Sequence, residues 1–337
     1  MTNPWSIHPL ARDVEAAVAA VREAGLLCRE VQAGIDPGAM QKKDKSPVTV
    51  ADYGSQALVC RALAAAFPGD PVIGEEDSAE LRDPANAALL DRVVAHVRER
   101  AAGASAADVC AWIDRGNAQQ HSARFWTLDP IDGTKGFLRG EQYAVGLALI
   151  VDGVIAVSAL ACPNLGPALD GPRGDGTIVV AVRGLGAWQR PMAVDGPARP
   201  VHVSPEGAPS RIRFCESVEA AHSSHDDAAR IAAHLAITAE PRRLDSMTKY
   251  AVVARGEAEA YLRLPRSGDY REKIWDHAAG VLAVLEAGGQ VTDVRGRRLD
   301  FGKGYRLEDN LGVIVSNGAV HAAVLAAIDD LGVAAFD

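Results

Sequence analysis

No C-x-x-C pair, no apolar run of membrane-spanning length, no low-complexity tract and no surplus of positive charge occur in these 337 residues. Each absence removes a class of function. The cysteines, Cys28, Cys60, Cys110, Cys162 and Cys215, are odd in number and widely spaced, which fits a reducing cytoplasm. Met1 to Leu10 lack the basic segment and apolar stretch of an export signal, so the expectation is a soluble chain that stays in the cytoplasm. The net charge of −9 argues against a protein that lives on nucleic-acid backbone or anionic membrane. It still permits a local basic cluster that meets a small anion. The expected partner is a small molecule, with the choice between monomer and homodimer open.

What is present is a globular composition, 48% hydrophobic and 23% charged, long enough for two domains or one large α/β unit. Proline and glycine concentrate between Pro191 and Pro200, which sets an expected boundary near residue 195 and divides the chain into 1–195 and 196–337.

One stretch carries dense chemistry: Phe125-Trp126-Thr127-Leu128-Asp129-Pro130-Ile131-Asp132-Gly133-Thr134-Lys135. Its aromatic and β-branched start suits a buried strand that delivers Asp129 at its end. Pro130, which fixes φ and lacks an N–H, should stop the strand, and Gly133 should turn the chain into a helix. Asp129, the Ile131 carbonyl and Asp132 then offer three hard oxygens, a set that suits Mg²⁺. Two ionised carboxylates about 4 Å apart repel by roughly 4 kcal/mol at an effective dielectric of 20, so a cation between them is favoured. Gly133, Thr134 and Lys135 at a helix N-terminus would favour an anion such as phosphate. The competing reading of the same residues is an Asx-turn in a surface loop.

Elsewhere, apolar spacing predicts a helix from Pro9 to Val31. Pro47 should force extension, with Thr49 capping a helix that reaches Phe67 and places Asp52 in its first turn. The preceding lysines, Lys42, Lys43 and Lys45, are either a solvated loop or positive charge for a phosphate. A short strand ending at Gly74 would deliver Glu75, and residues 80–120 read as a helical excursion. Val151-Asp152-Gly153 signals a hairpin. In the second half a strand is followed by a loop bearing His222 and His225, Ser246 and Lys249 open a helix, a strand carries Arg263, and Asp276 falls in the first turn of another helix.

Trp126, Asp129-Pro130-Ile131-Asp132-Gly133-Thr134, Gly74-Glu75-Glu76 and Trp275-Asp276-His277-Ala278-Ala279-Gly280 resemble the inositol monophosphatase superfamily of Mg²⁺-dependent, Li⁺-sensitive phosphatases over nearly the whole chain. Ser46 to Tyr53, His222 to His225, Tyr261 to Pro265 and Glu272 to His277 are similar to its 3'(2'),5'-bisphosphate nucleotidase branch. The resemblance implies an α/β fold (α+β by some schemes) in a layered α-β-α-β-α sandwich of the inositol monophosphatase and fructose-1,6-bisphosphatase type. It implies two or three Mg²⁺ ions held by Glu75, Asp129, the Ile131 carbonyl, Asp132 and Asp276, and water activated by Asp52 and Thr134. Thr134, His222, Ser246, Lys249, Arg263 and Asp276 would hold a nucleotide. The implied reaction is removal of the 3'-phosphate of adenosine 3',5'-bisphosphate. The alternatives are an inositol phosphate phosphatase, an inactive nucleotide-binding relative, and trimming of short RNA.

Overall fold

The computed structural model describes residues 3–35, 46–118, 122–219 and 225–336. Two helices open the chain, α1 (Ala11–Ala33) and α2 (Ser46–Ala66). The second begins earlier than Thr49, so Thr49 lies inside it rather than at its cap and Asp52 lies beyond its first turn. Pro47 sits in that first turn, where a missing N–H leaves no helical bond unmade. The segment with Lys42, Lys43 and Lys45 lies outside the described residues, as does His222.

Strand β1 (Val72–Gly74) is followed by α3 (Ala87–Arg98) and α4 (Ala106–Asp114), the latter started by a reciprocal Ser105–Asp108 capping box. Then come β2 (Arg124–Asp132), the short α5 (Thr134–Leu138), β3 (Ala144–Val151), β4 (Val154–Cys162), β5 (Thr177–Val182), β6 (Gly186–Pro191) and β7 (Arg199–Pro200). These strands form one seven-stranded sheet in sequence order, parallel only between β1 and β2. The β3–β4 connection places both Asp152 and Gly153 at positive φ, the geometry of a tight twisted hairpin.

The second half contributes β8 (Phe214–Glu216), α6 (His225–His234), β9 (Arg242–Arg243), α7 (Thr248–Ala254), β10 (Ala260–Arg263), α8 (Ala278–Glu286), β11 (Gln290–Thr292), β12 (Val313–Ser316) and α9 (His321–Asp330). Its strands pair in the order β11-β12-β10-β8-β9.

Three apolar cores account for the stacking. The first lies between α1, α2 and the inner face of the large sheet, with Leu27, Leu63, Trp126 and Leu147 fully buried. A second fills the space between the other face of that sheet, α7, α8 and the smaller sheet, where Ile150, Leu160, Val252 and Leu282 meet. The third joins the outer face of the smaller sheet to α6 and α9 through Ile231, Ile314 and Val324. The result is five layers, α-β-α-β-α. α8 in the middle layer is apolar all round: seven of its nine residues, Ala278 to Val284, are buried between two sheets. Among the described residues no helix is long and apolar enough to cross a membrane.

Candidate active site

β2 does not stop at Pro130. It runs on to Asp132, and the pairing with β3 steps from Asp129–Gly146 to Asp132–Ala144, three residues against two. That extra residue is a β-bulge, where a proline without an N–H is tolerated because the ladder is already broken. The bulge re-aims the strand end, and the Ser55 hydroxyl of α2 fixes it by donating to the Pro130 carbonyl at 2.8 Å. At the other end of the strand, Asp70 accepts from Arg124 Nε at 2.7 Å and from Trp126 Nε1 at 3.1 Å.

Gly133 follows in the left-handed region, φ 90°, and starts α5. A β-carbon on Gly133 would stand 2.9 Å from that of Ser246. On Gly136 it would stand 2.2 Å from the Gln142 carbonyl oxygen and 2.7 Å from Asp245 Oδ2. The glycine backbone of the metal-motif bend therefore packs directly against the side chains of Asp245 and Ser246 in the other half. Asp132 Oδ2 accepts the Met247 N–H across the same seam. α5 is only five residues long, so the anion preference expected from its N-terminus is that of a single turn.

A cleft of 310 Å³ opens at this seam, lined by Glu75, Asp129, Ile131, Asp132 and Thr134 from the first half and by Ser246, Lys249, Arg263 and Asp276 from the second. Nine of the residues proposed from sequence thus share one cavity. Asp52 does not line it; it is buried behind, 7% exposed. Asp276 sits in the turn before α8 rather than in its first helical turn, with His277 at the cap.

Burial and mutual repulsion outweigh the positive charge near these carboxylates. Burial, then Glu75, Asp132, Asp276 and Asp52, push Asp129 well above the usual carboxylate range. Asp276 is raised by burial, Asp132 and Glu75, and Asp52 by burial, Glu76 and Glu75. Glu75 is pushed up to about 7 by burial, Glu76 and Asp132. Asp129 Oδ1 is buried with no hydrogen-bond partner. A buried orphan oxygen among mutually repelling carboxylates is a donor set that fits a hard divalent cation. Glu75, Asp129, Asp132, Asp276 and the Ile131 carbonyl are the residues that would hold it.

The rest of the lining includes the cations Lys249 and Arg263, the ring of Tyr261 and the hydroxyl of Ser246. Lys249, 3% exposed, donates to the Leu244 carbonyl at 3.1 Å and lies 5.0 Å over the Tyr261 ring; burial lowers it to about 8. Ser246 holds a left-handed φ of 69°, an unfavourable backbone state for a serine. Its hydroxyl donates to Thr248 Oγ1 at 2.9 Å. Arg263 pairs with Glu272, which also faces His277.

Sequence reasoning missed several members. At the mouth, Glu219 bridges Lys135 at 2.8 Å and Arg139 at 2.7 Å, and Arg139 also reaches Asp245, a clamp between the halves. Tyr250 lines the cleft and was not singled out; Tyr261 lines it too, and stood in the motif Tyr261 to Pro265 without a role assigned to it. Glu272 and His277 stood inside a motif already singled out, and their adjacency to Asp276 was the available signal.

A model of the Inositol monophosphatase family matches residues 10–332. The chain is 43% identical to a 3'(2'),5'-bisphosphate nucleotidase of Schizosaccharomyces pombe, covering 93% of this chain and 94% of that one. It is 42% identical to one of Oryza sativa, covering 96% and 95%. Among solved structures it is similar to the inositol monophosphatase of Anabaena (Nostoc) sp., with a TM-score of 0.62 at 20% identity over 95% of this chain and 96% of that one. Mycobacterium tuberculosis SuhB gives a TM-score of 0.62 at 23% identity over 96% and 98%. At those identities the structures speak for the fold.

Proposed function

The chain belongs to the inositol monophosphatase family, and from that premise we propose that it is a phosphatase that removes the 3'-phosphate of adenosine 3',5'-bisphosphate, leaving AMP and inorganic phosphate. The names of its full-length relatives support the substrate. The observation that carries the reading is one cleft lined both by the carboxylates Glu75, Asp129, Asp132 and Asp276 and by the cations Lys249 and Arg263. A substrate with two phosphates matches that double lining: one phosphate for a metal cluster, one for fixed positive charge.

Two or three Mg²⁺ ions in the carboxylate cluster would polarise the scissile phosphoryl group and lower the pKa of the attacking water. In this reading Thr134, exposed in the cleft, orients that water by its hydroxyl. Asp52, buried and held above the ordinary carboxylate range, serves as the base behind it. Lys249 and Arg263 hold the 5'-phosphate, Ser246 contributes its hydroxyl, Asp276 contacts the nucleotide as well as the metal, and His222 is assigned to the nucleotide by resemblance alone. Li⁺ would compete at the metal cluster. The five cysteines are unpaired and buried, which supports placement in the cytoplasm.

The test is a panel of adenosine 3',5'-bisphosphate, 3'-phosphoadenylyl sulfate and inositol 1-phosphate at fixed Mg²⁺, with and without Li⁺, read as phosphate release. Faster turnover of the adenosine bisphosphate than of inositol 1-phosphate is expected, with inhibition by Li⁺. The reverse preference overturns the substrate assignment.

A further inference from the structure

Glu272, Asp276 and His277 bring ligand atoms within 4.8 Å of one another, close enough to share an ion. A side-chain cation already stands there. Arg263, at the end of β10, presents Nε to Glu272 Oε1 at 3.1 Å and Nη2 to Glu272 Oε2 at 3.2 Å. The same carboxylate lies 3.2 Å from His277 Nε2, and His277 Nδ1 is 2.7 Å from the Tyr250 hydroxyl. Glu272, His277 and Tyr250 are 5%, 2% and 1% exposed, so the chain of contacts runs through the interior. Tyr270 lines the same cleft wall as Arg263.

Two carboxylates act on the Arg263 guanidinium: Glu272 pairs with it directly, and Asp276, whose oxygen lies within 4.8 Å of a Glu272 ligand atom, adds its charge. A guanidinium that turned to Asp276 would neutralise a metal ligand and withdraw from the substrate. Side-on pairing with Glu272 uses the Nε edge of the fork and leaves end-on N–H groups for another acceptor. We propose that Glu272 is a positioning residue, held by His277 and Tyr250, that fixes the Arg263 guanidinium away from Asp276 and toward the second, non-reacting phosphate of the substrate. The network thereby sets the preference for substrates with two phosphates over substrates with one. This inference rests on the nucleotidase reading for its substrate and on the buried contacts for its geometry.

The experiment compares kcat/KM for adenosine 3',5'-bisphosphate and adenosine 3'-monophosphate in the wild type, Glu272→Gln, Arg263→Gln and the double variant. The wild type is expected to favour the bisphosphate. Glu272→Gln should lose about tenfold of that preference, mainly through KM for the bisphosphate, since a charge-assisted pair has been removed. In the Arg263→Gln background Glu272→Gln should cost no further preference. Unchanged preference in Glu272→Gln, or an equal added loss in the double variant, overturns the role. If Glu272→Gln does not fold, Tyr250→Phe, which removes only the far contact, should lower the preference about threefold, and an unchanged ratio overturns the proposal. A wild type that hydrolyses neither nucleotide sinks the nucleotidase reading instead. The positioning role is then read by calorimetry with inorganic phosphate on the metal-free protein, where about tenfold weaker binding in Glu272→Gln supports it and equal affinity overturns it.

Discussion

Glu272 and Asp276 are four residues apart on the approach to α8, yet they sit in opposite electrostatic worlds. Burial pushes Glu272 up, but the His277 hydrogen bond and the Arg263 charge outweigh it and bring it down to about 2. Asp276 is driven above the ordinary range by burial, Asp132 and Glu75, with too little positive charge nearby to offset them. One region carries its own counter-charge in the fold; the other would reach balance with cations from solution. A buried acidic group is thus informative about ligands when its partners are counted, not when its burial is noted.

The sharpest break in this comparison comes from the uncompensated side. Asp129→Asn should lower Mg²⁺-dependent turnover by about 10³-fold or more, because it removes a charge from the metal cluster. A Mg²⁺ titration of kcat checks this, and wild-type turnover in the variant would place the metal elsewhere. On the compensated side, Lys249→Ala should raise KM for the nucleotide by about 10- to 100-fold with little change in kcat. Loss of kcat at constant KM would contradict a binding role.

A smaller effect tests the two regions in a single measurement. Glu75 is raised from 4.5 to about 7, so between those values the folded state retains a proton that the unfolded chain has released. Stability of the metal-free protein should therefore fall as pH rises from about 4.5 to 7, and saturating Mg²⁺ should flatten that slope. Glu272 acts with the opposite sign: its stabilisation is present above its unfolded value of 4.5 and is lost as pH falls toward 2. Denaturant unfolding from pH 3 to 8, with chelator and with Mg²⁺, reads both limbs. A chelator-treated protein with no slope above pH 4.5 would show the cluster to be internally balanced.

The least effect is expected far from the cleft, at His321. It is 1% exposed, with Nε2 2.9 Å from Thr292 Oγ1 and Nδ1 2.9 Å from Ser316 Oγ, and burial lowers it from 6.5 to about 4. Neutral partners give it no reason to charge. Its contribution is present above about 6.5 and lost as pH falls toward 4, on the order of 1–3 kcal/mol in all. His321→Gln should remove that part of the slope while leaving the Mg²⁺-sensitive part intact; an unchanged slope would assign it to other groups.

Much of this was legible in the residues. Apolar spacing marked α1, the Asp-Gly pair marked the β3–β4 turn, and Pro130 with Gly133 marked a sharp change of direction at the carboxylates. The form of that change was not legible, because a bulge is a property of two strands and β3 supplies half of it. Thr49 failed as a cap because α2 starts at Ser46, ahead of it. The pairing of Arg263 with Glu272 and the contact of Gly136 with Asp245 join separate segments, and no local pattern announces either. The sites most readable from sequence were those whose chemistry is concentrated in a few neighbouring residues.

The close approach of Gly133 and Gly136 to Asp245 and Ser246 also has a mechanical meaning. A β-carbon at either glycine would collide with the Asp245 or Ser246 side chain, so the floor of the cleft depends on bare glycine backbone set directly against those two side chains. The mouth, by contrast, is held by the long side chains of Lys135, Arg139 and Glu219 in ion pairs. The cavity thus has a floor closed by short contacts at two glycines and a mouth bounded by long charged side chains joined in ion pairs.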